Sequence, residues 1–241
     1  VLAGGCATLP PVPRQRIGPD ARQALDRLAE RAREVSGLRT LAAIRVQRGG
    51  ERQQLTAVLL AKPPDSVRFE ALAPTGQPLF VATIRDGRLV AYDATTDEAT
   101  VGPATAETAA KMMNLPFAPR DLVAVLAGHA VPPEDIRVAE VVPGNGLGPS
   151  IELTGEVNRR RIWMDLDTGL VRQLELSGGR AEARIVYERD SGGELRGFDL
   201  TAMLGYITAS VRYQNPVFRA ELPDELFALA IPKTAKINDI R

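Results

Sequence analysis

A dozen short β-type runs, each closed by a turn signal, constrain this chain more than any other feature. The first set is Leu38 to Gln47, Gln54 to Ala61, Val67 to Leu72, Leu79 to Ile84 and Arg88 to Asp93. Its breaks are "RGGE", "KPPD", "PTGQP" and "RDGR", rich in the residues that reverse a chain. The second set runs through Ile136 to Val142, Ile151 to Leu153, Arg159 to Leu166, Val171 to Leu176, Glu182 to Glu188, Leu195 to Leu200 and Ile207 to Tyr213, with "MDLDTG" and "RDSGGE" as hairpin turns. Links this short favour antiparallel neighbours. The alternation is incomplete: Leu55, Ala57 and Leu59 share one face while Val58 and Leu60 take the other. One face therefore packs on neighbouring elements, and the other lines an interior that helices or a ligand must fill. So many strands in 241 residues suit a strongly curved sheet rather than a small sandwich.

Helical spacing appears in two places. From Asp20 as N-cap, Leu25, Leu28, Ala32 and Val35 form a stripe that Gly37 ends, opposite Arg22, Asp26, Glu30 and Arg33. This amphipathic helix is expected to pack on the core. Between the two strand sets, Ala106 to Met113 reads as a short helix stopped by Asn114 and Pro116. Pro119 opens another, with Leu122, Val125 and Leu126 as its stripe and Gly128 as its end. Two apolar helices placed there look like a lid or plug over the sheet.

The composition removes several function classes. Thirty basic residues balance thirty acidic ones and aromatics are only 5%, which supplies neither the field nor the stacking surface expected of a nucleic-acid binder. His129 and Cys6 are the only residues of their types, so a His-based nucleophile pair or a zinc site lacks material, and no metal or cofactor is expected. His129 reads as a charge or hydrogen-bond partner at a helix end. "PGNGLGPS", Pro143 to Ser150, lacks a dinucleotide fingerprint and reads as a hairpin loop. Asp165 with Asp167, and Asp97 with Glu98, fit turn chemistry better than paired catalytic carboxylates. A "DTG" protease reading of Asp167 to Gly169 would need a second copy. An enzyme is not expected.

Cys6 stands in "VLAGGCATLPPVP", which resembles a bacterial lipobox; the alternative is an incidental cluster of small residues around a free thiol. The resemblance implies a signal-peptide remnant over 1–5, lipidation at Cys6, a flexible tether over 6–19 and a single domain over 20–241. At about 3 Å per residue the tether would reach roughly 40 Å.

These pieces together resemble the LolA/LolB superfamily of periplasmic lipoprotein carriers and outer-membrane lipoprotein receptors. The resemblance rests on the tethered first helix, the strand runs, "LAPTGQPLF", "RDGRLVAYD", "TAETAAKMMNLPFAPRDLVAVLAG" and the ending "LFALAIPKTAKIND". The loop, hairpin and helices are more similar to the LolB type; the ending is more similar to the LolA carrier. The resemblance implies a mainly β (α+β) fold, an incomplete antiparallel β-barrel of about 11 strands closed by an N-terminal helix and short plug helices. It also implies a monomeric, outer-membrane, lipid-anchored protein facing the periplasm. Its partners would be acyl chains of lipid or lipoprotein, the membrane through Cys6, and a soluble periplasmic carrier. Expected cavity walls are Leu41, Ile44, Val46, Leu55, Leu59, Val67, Phe69, Phe80 and Trp163. The expected lid is Met112, Met113, Leu115, Phe117, Leu122, Val125 and Leu126, where methionine suits a wall that repacks. A closed core made of the same residues is the other reading. The expected membrane- or cargo-facing loop is Leu72, Pro74, Thr75, Gly76, Pro78 and Leu79. LolB-type loops carry an exposed leucine between the proline and glycine; Thr75 holds that position here, leaving apolar contact to Leu72, Pro78 and Leu79. A scaffold in an envelope protein complex is the alternative function.

Overall fold

The turn chemistry of the chain is realised strand by strand in the computed structural model, which describes residues 15–108, 117–156, 158–178, 181–202 and 206–240. After β1 (Arg16–Ile17) and α1 (Pro19–Arg33) comes a meander of β2 (Leu38–Arg48), β3 (Glu51–Lys62), β4 (Ser66–Leu72), β5 (Pro78–Arg85), β6 (Arg88–Asp93) and β7 (Glu98–Pro103). A second helix, α2 (Pro119–Ala127), leads to a second meander of β8 (Val138–Asn145), β9 (Gly148–Thr154), β10 (Asn158–Met164), β11 (Val171–Gly178), β12 (Ala181–Arg189), β13 (Leu195–Ala202) and β14 (Ile207–Val217). A 3-10 turn (Asp224–Phe227) and β15 (Lys236–Asp239) finish the chain.

The two meanders are one sheet. Its order is β1-β8-β9-β10-β11-β12-β13-β14-β2-β3-β4-β5-β6-β7-β15, joined where β14 pairs antiparallel with β2. Both outer strands are parallel additions from the chain's two ends: Arg16 pairs with Val138, and Lys236 with Glu98. The described residues therefore form 15 strands in an open, curved sheet, where about 11 to 12 were expected. The strands missed are β1, β7 and β15. Arg16 and Ile17, expected as tether, belong to the sheet. Curvature has a visible cause in register shifts at Ala71/Leu72, Val142/Asn145, Trp163/Met164, Glu188/Arg189 and Gln214/Val217, since each bulge bends its strand. In β13, Gly197 has φ 151° and a Cβ there would lie 2.0 Å from the Val211 carbonyl oxygen, so β13 and β14 approach only because the side chain is missing.

Period-2 alternation sets the faces. From β2 to β6 the concave side carries Ala42, Ile44, Ala57, Leu59, Val67, Ile84, Leu89 and Ala91; from β9 to β14 it carries Ile151, Leu153, Ile162, Leu174, Ile185, Phe198, Leu200 and Val211. α1 buries Ala21, Ala24 and Leu28 in that core. The helix starts two residues earlier than expected, with Gly18 as cap and Pro19 in the first turn, and ends at Arg33, short of Val35 and Gly37. On the convex side Leu60, Leu222 and Phe227 form a small second cluster. Lys62 and Arg85 bind the Asp224 segment beside it, with Lys62 Nζ 2.6 Å from Asp224 Oδ1 and Arg85 Nη1 donating to the Asp224 carbonyl at 2.8 Å.

Candidate functional site

α2 lies over the concave face and stops short of filling it. Between the helix and strands β2 to β6, β13 and β14 is a cavity of about 390 Å³. Its walls are Ile44 and Val46, Leu55 and Leu59, Val67 and Phe69, Phe80, Ala82 and Ile84, Leu89, Phe198 and Leu200, and Ile207, Ala209 and Val211; Phe117, Leu122, Val125 and Leu126 form the roof. Every one of these side chains is apolar. Phe69 and Phe80 meet edge to face with ring centroids 6.2 Å apart, so two large rings stiffen the wall on the β4–β5 side. Such a lining can offer dispersion and water exclusion but no side-chain hydrogen bond.

Ile44, Val46, Leu55, Leu59, Val67, Phe69 and Phe80 all line this space, as do Phe117, Leu122, Val125 and Leu126. Two expected wall residues do not. Leu41 is an odd position on β2, whose even positions Ile44 and Val46 face inward, so its side chain lies on the outer face. Trp163 alternates with inward Ile162 and Met164; it is buried on the outer face beneath Arg161, whose guanidinium carbon is 4.5 Å from the ring centroid. Met112, Met113, Leu115 and Cys6 lie outside the described residues. The sequence reading missed the walls from β13 and β14. The alternation of Ile207, Ala209 and Val211 was visible, but their place beside β2 depends on a pairing more than 150 residues apart, Val211 with Ile44.

The loop between β4 and β5 is a tight turn in which Gly76 N donates to the Ala73 carbonyl at 2.8 Å and Gly76 takes φ 87°. Pro74, Thr75, Gly76, Pro78 and Leu79 are exposed, and Leu72 is half-buried. The tip therefore projects from the same end of the sheet toward which Phe80, Val46 and Ile207 extend the cavity wall.

Polar groups hold the roof from one side. At the start of α2, Asp121 takes both guanidinium ends of Arg160, at 2.6 and 3.1 Å, and Arg160 also donates to the Val131 carbonyl. At its end, Tyr213 donates to the Leu126 carbonyl at 2.7 Å, Arg189 Nη2 to that of Gly128 at 2.6 Å, and Tyr187 to that of His129 at 3.1 Å. A helix terminus leaves carbonyls without intrahelical partners, and these donors satisfy them inside the protein. Burial pushes both phenols upward and keeps them protonated. Of the two roles expected of His129, charge or hydrogen-bond partner at the helix end, the second holds: burial pulls its imidazole down to about 4, so it is neutral, against the upward pull of a hydrogen bond with the Ala127 backbone.

The remaining polar motifs are structural. Asp165 Oδ1 accepts from the backbone of Asp167 and Thr168 and from the Thr168 hydroxyl, which holds its carboxyl below the usual range. Asp97 accepts from the Tyr92 hydroxyl at 2.9 Å, and Glu98 pairs with Lys236 of β15. "PGNGLGPS" is a tight hairpin, with Asn145 opposite Gly148. Among the described residues, no group of three or more His, Cys, Asp or Glu is placed to hold a metal ion.

Comparison with known proteins identifies the fold. No protein-family model matches the chain, and no curated protein sequence does. Solved structures match over most of its length. A LolA superfamily protein from Nitrosomonas europaea superposes with a TM-score of 0.60 at 14% identity, covering 87% of this chain and 97% of the other. A DUF1329 family protein from Desulfovibrio piger gives 0.61 at 11% identity, covering 88% and 98%. A domain from Vibrio parahaemolyticus described as an outer membrane lipoprotein-sorting protein gives 0.60 at 13%, covering 86% and 97%. This chain has the LolA-like fold.

Proposed function

We propose that this protein is a lipid-anchored envelope protein that binds the acyl chains of a lipid or lipoprotein in the cavity beneath α2. The observation that carries the reading is the wholly apolar, 390 Å³ space in the concave face. Cores are packed to crystal density, with few voids larger than a water. The walls offer water no hydrogen-bond partner. An acyl chain suits such a space, gaining about 0.8 kcal/mol for each methylene taken out of water.

The LolA-like fold, shared with a domain described as sorting lipoproteins, supports the same reading. In the LolB-like form of the proposal, Cys6 carries the lipid that tethers the domain to the outer membrane, and the exposed Pro78 and Leu79 with Leu72 at the β4–β5 tip touch membrane or cargo in place of the leucine that Thr75 replaces. No covalent chemistry is needed.

The test is mass spectrometry of small molecules released from the full chain after expression in a periplasm and gentle purification. A stoichiometric lipid or acylated species is the expected result. A blank, with no uptake of a neutral fluorescent hydrophobic probe, would refute the carrier reading in favour of a scaffold.

A further inference from the structure

The inward faces of β2 and β3 change character within two ladder steps. Ile44 pairs with Leu55, Val46 with Gln53, and Arg48 with Glu51, all six on the concave side. Successive steps on one face lie about 7 Å apart, so a chain lying along this wall passes from hydrocarbon to an amide to a guanidinium within roughly 14 Å. Arg48 is exposed there, paired across the sheet with Ile207 of the cavity wall. Arg45 and Arg52, on the outer face of the same hairpin end, are exposed as well.

None of these three arginines has a side-chain hydrogen bond or ion pair among the described residues. The one carboxylate among their outer-face neighbours that is engaged, Asp199, is held by Arg212 at 2.9 Å, which leaves Glu51 as the only acid at the hairpin tip. Toward the opposite end of the sheet Arg85 pairs with Asp86 and Arg196 with Asp190, while Arg39 and Arg88 on the outer face have no such partner among the described residues. What distinguishes Arg48 from the other exposed arginines named here is its place on the concave face, two ladder steps beyond Ile44 of the cavity wall.

We propose that the ligand of this cavity is an anionic amphiphile, with its acyl chain inside and its phosphate or carboxylate headgroup held at the mouth by Arg48, in the field of Arg45 and Arg52. This rests on the acyl-binding reading and specifies its substrate class. An apolar wall sets affinity by length and cannot distinguish one headgroup from another; the guanidinium at its end can, by charge-assisted hydrogen bonds to an oxyanion. Gln53, on the same face one step inward, offers amide donors to the headgroup's remaining oxygens.

The experiment is displacement of the neutral probe N-phenylnaphthylamine from the full-length protein by oleoyl lysophosphatidylglycerol and by monoolein, which share an acyl chain and differ in the phosphate. The native protein should bind the anionic lipid about tenfold tighter at low salt, a preference that shrinks as salt screens it. Arg48→Gln should lower that ratio about threefold, and Arg45→Gln with Arg48→Gln and Arg52→Gln should remove it, with monoolein binding unchanged in both. The side chains are exposed and unpaired, so circular dichroism should show intact folds. Equal affinities in the native protein, or a ratio that survives the triple variant, would overturn the headgroup assignment while leaving acyl binding standing. Failure of both lipids to displace the probe would overturn acyl binding with it. If the triple variant loses binding to phosphatidylglycerol vesicles yet keeps its preference for the soluble anionic lipid, the arginines serve a membrane surface and the proposal is wrong.

Discussion

Replacing Ala82 with leucine tests whether the cavity is open space. Ala82 sits on β5 between Phe80 and Ile84, opposite Phe69 on β4 and Ala91 on β6, and it faces the cavity. It is only half-buried, although its neighbours Val81 and Thr83 on the other face are buried. Leucine adds three carbons, worth about 2.4 kcal/mol if all leave water, and about 1 kcal/mol after rotamer entropy and partial exposure are deducted. For a domain of this size that is a rise of roughly 2–4 °C in Tm. The leucine occupies volume the ligand needs, so probe binding should weaken at least about tenfold. The assay is thermal unfolding of delipidated protein alongside probe titration, with Ala209→Leu on the opposite wall as a second variant. In a closed core the same change overpacks and costs about 1–3 kcal/mol. A lowered Tm with unchanged probe binding at both positions would refute the argument.

Asp121→Ala should destabilise by about 3–5 kcal/mol in chemical denaturation, because it strands Arg160, whose side chain is only 10% exposed; Asp121→Leu with Arg160→Met should recover most of the loss. Tyr213→Phe removes the donor to the Leu126 carbonyl and should cost about 1–3 kcal/mol by the same measure, with no change in overall fold. His129 gives a pH dependence of definite sign. Its folded value of about 4 lies below the unfolded 6.5, so the unfolded chain binds the proton more readily; stability is full above pH 6.5 and falls by roughly 3 kcal/mol as pH drops toward 4. Denaturant midpoints from pH 7 to 4.5 should show this slope, and His129→Gln should flatten it.

The strands were legible because Gly, Pro and Asp punctuate them; the wall residues were expected from the family resemblance, and seven of them lie at the inward-alternating positions of β2 to β5. The same alternation misled where both faces are apolar. Leu41 and Trp163 are as hydrophobic as true wall residues, and local sequence does not record that the outer face of β10 is covered by Arg161. β1 and β15 were missed for a different reason. Each is at most four residues long and exists only through parallel pairing with a distant strand, which leaves no periodic signature of its own.

Least legible was how the roof is held, because the bonds that hold it join residues far apart in the chain: Tyr213 to Leu126, Tyr187 to His129, Arg160 to Asp121. All of them run to β10, β12 and β14. Among the described residues, no side-chain hydrogen bond or ion pair joins α2 to β2 through β7; the helix packs on β3 and β4, and the side chains that face it on that side, Leu59, Val67, Phe69 and Ile84, are all apolar. The two sides of the roof therefore yield at different cost. Parting α2 from β10 to β14 would orphan buried donors, carbonyls and an ion pair, each worth about 1–3 kcal/mol or more. Parting it from β3 to β5 gives up only apolar contact, which an entering acyl chain restores with its own methylenes. If the acyl-binding proposal holds, a ligand larger than the present cavity should therefore be accommodated by separation on the first-meander side, with the helix staying fixed to the second.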